Sequence, residues 1–134
     1  MKILLYPFIT FLLITHNNGQ EIEGVCSKCD CKDSVIDCRN SKLEASFPPE
    51  AWKDITGNTT YTEAKLDNNK IGHVTRFPTL PLTRLSLRNN VIVKIDDQAF
   101  KNLTSLVYLD LAKNQLTTKL LSPRVFEVSF EYCQ

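Results

Sequence analysis

The stretch Leu82–Ile92, LTRLSLRNNVI, sets leucines at 82, 85 and 87, an asparagine at 90 and an isoleucine at 92. Leu85 and Leu87 alternate with Arg84, Ser86 and Arg88, the period of a short strand with one buried face. The pattern L-x-x-L-x-L-x-x-N-x-L occurs twice more. YTEAKLDNNKI offers Tyr61, Ala64, Leu66, Asn69 and Ile71, and LVYLDLAKNQL offers Leu106, Leu109, Leu111, Asn114 and Leu116. The asparagines recur after 21 and then 24 residues, so the chain repeats one supersecondary unit.

One such unit cannot bury its apolar face, whereas stacked units share a continuous core. After the strand the chain must turn, and backbone groups inside the bend lose their strand partners. A buried amide donates and accepts at once, so Asn69, Asn90 and Asn114 are expected to form a structural ladder. Stacking in register also aligns the residues between the leucines. Glu63, Arg84 and Tyr108 form one predicted row, Lys65, Ser86 and Asp110 a second, and Asp67, Arg88 and Ala112 a third. Glu63–Arg84 and Asp67–Arg88 are then expected as neighbouring pairs of opposite sign.

Working outward, the N-terminal MKILLYPFITFLLITHNNGQ has a basic Lys2, an apolar run from Ile3 to Thr15 and a small residue at Gly19. That order is expected of a secretory signal peptide; a spanning helix needs about 20 apolar residues. No second run of that length follows, and EVSFEYCQ carries no lipid-anchor signal. Export sets the reading of VCSKCDCKDSVIDC. Cys26, Cys29, Cys31 and Cys38 could hold zinc as thiolates in a reducing compartment, but an oxidising one favours two disulfides. Spacing alone leaves three pairings open, and Cys133 stands over as a free thiol or one half of a bridge.

The repeats and the cysteine cluster together resemble extracellular leucine-rich repeat proteins of animal type. Residues 26–48 resemble the cysteine-rich N-terminal cap of that family. The resemblance implies the pairings Cys26–Cys31 and Cys29–Cys38, and places Ile95, Phe100 and Leu103 on the convex, apolar side of the second repeat. It implies an α/β solenoid, a short leucine-rich repeat coil with a parallel β-sheet on its concave face and a disulfide-bonded β-hairpin cap. The organisation expected is a signal peptide over 1–20, the cap and a linking turn over 21–60, three repeats over 61–116 and an irregular tail over 117–134.

Composition leaves few other functions. The formal net charge is +1, so no strong field singles out nucleic acid or anionic membrane. Only His73 would remain of two histidines after export, with no nucleophile motif around it. Asp96–Asp97 lacks an apolar pocket that would split the pKa values of an acid pair. No phosphate-cradling loop appears among four glycines. The expectation is a non-enzymatic module without cofactor or metal. Glu63, Lys65, Asp67, Arg84, Ser86, Arg88, Tyr108 and Asp110 are its candidate contact residues for an extracellular protein. Tyr108, Arg84 and Arg88 lead, since interfaces favour aromatic side chains and arginine; the plainer reading is lateral pairing on a solvated sheet. Asn58 in NTT and Asn102 in NLT are glycosylation acceptors that would leave the concave side open.

The C-terminal end departs from the family. Phe126 follows Leu106 by 20 residues where Phe100 follows Leu82 by 18, and no multi-cysteine cap follows. Three readings stand: residues 120–132 fold over the end, a partner or second copy covers it through the open edge or Cys133, or the chain is a shortened product of a longer cell-surface repeat receptor. The last of these is the sequence-based expectation, and with it comes little independent activity or a soluble-competitor role.

Overall fold

The computed structural model describes residues 22–55 and 60–126. The predicted signal peptide, Asn58 and Cys133 lie outside the described residues. Seven short strands form two sheets. The larger has β1 (Asp30–Lys32), β2 (Val35–Asp37), β3 (Glu63–Lys65), β5 (Arg84–Ser86) and β7 (Tyr108–Asp110), in that order. Only β1 and β2 run antiparallel, and every later neighbour is parallel. The smaller sheet pairs β4 (His73–Val74) with β6 (Lys94–Ile95), also in parallel. Each coil from β3 onward therefore adds one strand to the main sheet, and two of them add a second strand to the small one.

The strands of the main sheet are three residues long because only the L-x-L segment can alternate. Ala64 and Leu85 at the strand centres are fully buried, as are Leu66 and Leu87 just beyond, whereas Glu63, Arg84 and Tyr108 keep solvent contact. The turn that follows requires a left-handed residue. Asn68 and Asn89 take it at φ 58° and 56°, a region asparagine tolerates better than most side chains. Lys113 fills the same place in the third repeat at φ 55°.

Behind the sheet the side chains close into one core. Ile71, Val74, Leu82, Ile92 and Ala99 are all fully buried. An aromatic column runs the length of this core. Phe47 meets Trp52 edge-on at 5.8 Å, Trp52 meets Phe77 at 5.5 Å, and Phe77 stacks on Phe100 at 6.0 Å. Phe126 continues the column, stacked on Phe100 at 6.2 Å. The 20-residue interval before Phe126 is thus absorbed in the return, and the ring still reaches its neighbour.

The α component of the expected class does not appear among the described residues. Its place is taken by 3-10 turns at Val25–Ser27, Pro49–Ile55 and Pro123–Phe126 and by the β4–β6 pair. A return of so few residues must already hold a strand, and in the second repeat a left-handed Gln98 at φ 58° interrupts it as well. An α-helix needs an unbroken run of right-handed residues.

The N-terminal end is closed by the β1–β2 hairpin, stapled by Cys26–Cys31 and Cys29–Cys38. These two bridges fit a cysteine-rich cap. The hairpin does more than cover the first repeat, because β2 joins the main sheet in register, with Ile36 opposite Ala64. VIDCRNSKL is a coil of the same kind, with Cys38 in place of the second leucine and Ser41 in place of the asparagine.

Candidate binding face

Asn69, Asn90 and Asn114 stand one above another in the bends. Asn90 Nδ2 donates to Leu87 O of its own coil and to Leu66 O of the preceding one, both at 3.0 Å, while its Oδ1 accepts the Ile71 N–H at 3.1 Å. Asn114 repeats this with Leu111 O, Leu87 O and the Ile92 N–H. Asn69 does the same against the cap, donating to Leu66 O and Cys38 O and accepting from Ser41 and Leu43. Each amide thus bridges two coils and satisfies groups that the strands leave unpaired. Their work is internal, and Asn69 and Asn90 are buried.

The outward-facing positions of the strands line up across the sheet. Glu63, Arg84 and Tyr108 are direct partners, as are Lys65, Ser86 and Asp110. The cap strand adds Val35 to the first row and Asp37 to the second, two members the sequence reading missed. The signal that could have found them is the VIDC alternation, disguised because its buried positions are an isoleucine and a disulfide-bonded cysteine.

These rows hold a web of contacts. Glu63 Oε1 lies 3.7 Å from both Lys65 Nζ and Arg84 Nε. The Arg84 guanidinium sits over the Tyr108 ring, 4.3 Å from its centroid, within the range of cation–π attraction. The expected Asp67–Arg88 side-chain pair does not form. Asp67 Oδ1 accepts the Arg88 backbone N–H at 2.9 Å and a short hydrogen bond from the Ser86 hydroxyl. The short carboxylate reaches the backbone of the next coil, and the longer Arg88 side chain turns to Asp110 at 3.6 Å. At the cap end, hydrogen bonding from the Arg39 side chain holds the Asp37 carboxyl below its ordinary pKa and raises that of Arg39 in return. Exposed pairs of this kind contribute little individually. They hold long side chains in place, however, so the rows present an ordered surface.

The other candidates are placed elsewhere. Asn102 is half-buried, its Nδ2 donating to Phe77 O at 2.9 Å. His73 Nε2 lies 2.7 Å from Asp96 Oδ1, with both side chains more than a third exposed. Asp96 is therefore tied to an imidazole in another strand rather than paired with Asp97. Among the described residues no group of histidines, cysteines and carboxylates could hold a metal ion, and no helix is long and apolar enough to cross a membrane.

A strand per coil, a repeated left-handed bend and an amide bridging each bend define the unit. The model of the leucine rich repeat family matches residues 81–127, which span the second and third of these coils. The chain is a leucine-rich repeat protein. Three human relatives agree with this. Leucine-rich repeats and immunoglobulin-like domains protein 2 (Homo sapiens) is 29% identical over 83% of this chain and 12% of its own length. Epiphycan (Homo sapiens) is 25% identical over 93% of this chain and 43% of its own length. Podocan-like protein 1 (Homo sapiens) is 35% identical over 74% of this chain and 19% of its own length. The leucine-rich repeat chain thus spans less than half the length of each of these relatives.

Proposed function

We propose that this leucine-rich repeat chain is a secreted, non-enzymatic binding module that takes an extracellular protein on the outward rows of its main sheet, the concave face. The observation that carries the reading is the cluster formed by Arg84 over Tyr108 beside Glu63 and Asp110. It is an exposed aromatic–arginine pair, held by its neighbours and centred on the repeats. Arginine and tyrosine are the side chains that most often anchor protein interfaces. Secretion is supported by the apolar N-terminal run and by a cap built on two disulfides, which persist in oxidising compartments. Asn102 lies away from these rows, so a glycan there leaves them open.

The test is a screen of the secreted chain against a panel of extracellular proteins. Any partner it finds is measured again with the double variant Arg84→Glu/Tyr108→Ala and with Lys101→Glu on the opposite side. Affinity falling about tenfold or more in the first variant and unchanged in the second is the expected outcome. Equal binding by all three proteins would place the contact elsewhere and end the proposal.

A further inference from the structure

A second line of residues crosses the coils on the rim where the chain leaves the sheet. Asn40, Asn68 and Asn89 occupy equivalent places there, all left-handed, at φ 56°, 58° and 56°. Their backbone N–H groups donate to the next coil at Asp67, Arg88 and Ala112 O, so the same turn recurs three times. All three side chains are exposed. Asn89 Nδ2 donates to Asn68 Oδ1 at 2.8 Å, which leaves the Asn68 amino group and the Asn89 carbonyl to face a ligand.

These amides line a groove together with Lys42, Lys70 and Val91, and no carboxylate lines it. Along the strand rows and beside the cap strand the cations are matched: Arg39 with Asp37, Lys65 and Arg84 with Glu63, Arg88 with Asp110. Among the described residues neither Lys42 nor Lys70 forms an ion pair with a carboxylate, and Glu44, on the same coil as Lys42, lines an adjacent hollow that Lys42 also borders. Unmatched positive charge and open amide capacity therefore coincide in one place.

That combination selects a chemistry. An amide both donates and accepts, as a hydroxyl-rich ligand requires, while ammonium groups require an anion. No aromatic ring lines the groove, so nothing there stacks on a nucleobase. Successive coils of a sheet lie about 4.8 Å apart, close to the length of one pyranose unit. The geometry points to an acidic oligosaccharide, sulfated or carboxylated, lying across the coils along Asn40, Asn68 and Asn89 with its anionic groups on Lys42 and Lys70. This site is separate from the strand rows and does not depend on them.

Isothermal titration of the full secreted chain tests it, with a heparin-derived hexasaccharide and a hyaluronan hexasaccharide as the sulfated and carboxylate-only probes. At least one is bound by the native chain, about tenfold more weakly by Lys42→Gln/Lys70→Gln and equally by Arg84→Glu/Tyr108→Ala. Raising salt from about 50 to about 200 mM weakens it further. Both lysines are exposed, so thermal melting of their double variant stays at the native value. The assignment is overturned by no binding of either sugar by the native chain, by equal binding by the lysine variant, or by tighter binding of a duplex DNA of matched charge. A loss confined to the Arg84 variant also overturns it and moves the sugar to the sheet.

Discussion

The two ends of the main sheet are built from the same repeat and buried very differently. At the N-terminal end Ile36, Ala64 and Leu66 have no solvent exposure, and Asn69 is bonded to Cys38, Ser41 and Leu43 of the cap. At the other end Leu106, Leu109 and Leu111 are only partly buried, Val107 is 87% exposed and Phe126 is 50% exposed. An apolar cleft opens there between Phe100, Leu103, Leu106, Leu109, Val125 and Phe126. A repeat has no core of its own, so each coil is as stable as the neighbour that covers it. The cap matters because it is itself a coil, with a disulfide-bonded cysteine where the later coils have a leucine and a serine where they have an amide.

This contrast can be broken at the cap first. Replacing Cys29 and Cys38 together by serine is expected to cost about 2–5 kcal/mol, read as a large fall in the thermal midpoint. A change of under 1 kcal/mol would mean that the stack holds without its staple. Paired truncations in the core come next. Leu85→Ala, between two covered coils, should cost about 3 kcal/mol, and Leu109→Ala about 1 kcal/mol, since Leu109 is only partly buried. Equal costs in urea titrations would erase the gradient. Smaller again is the ladder. Asn90→Ala leaves buried carbonyl and amide groups unpaired, for about 2 kcal/mol, against about 1 kcal/mol for the half-exposed Asn114→Ala.

Much of this architecture was legible because the L-x-L alternation has only one way to place its leucines inside. The same alternation puts Glu63, Arg84 and Tyr108 in one line from the sequence alone. What stayed hidden was whatever did not repeat literally. Cys38 and Ser41 masked the cap as a further coil, since a disulfide replaces aliphatic packing and there is no earlier coil for an amide to bridge. The aromatic column was equally obscure, because Phe77, Phe100 and Phe126 follow Tyr61, Leu82 and Leu106 by unequal intervals. Side-chain reach decided the Asp67–Arg88 outcome, and row register says nothing about reach. The groove of Asn40, Asn68 and Asn89 is hidden for a related reason: in sequence each is an ordinary turn residue, and only the stacking of the coils brings the three onto one rim.

The smallest predicted effect sharpens the comparison from the open end. Lys113 holds the left-handed position that Asn68 and Asn89 fill in the earlier coils. Lys113→Asn is expected to stabilise the chain by about 0.5 kcal/mol, and a destabilised variant would show that the third bend is not equivalent to the others.

Amide hydrogen exchange tests the ladder and its gradient together. The N–H groups of Leu43, Ile71 and Ile92 end on Asn69, Asn90 and Asn114 in turn. They sit in the same place of successive coils, two in covered bends and the last beside the open end. Leu43 and Ile71 should exchange most slowly and Ile92 measurably faster. Exchange at Leu43 and Ile71 as fast as in exposed turns would contradict the stacked coils, and Ile92 slower than Ile71 would contradict the gradient.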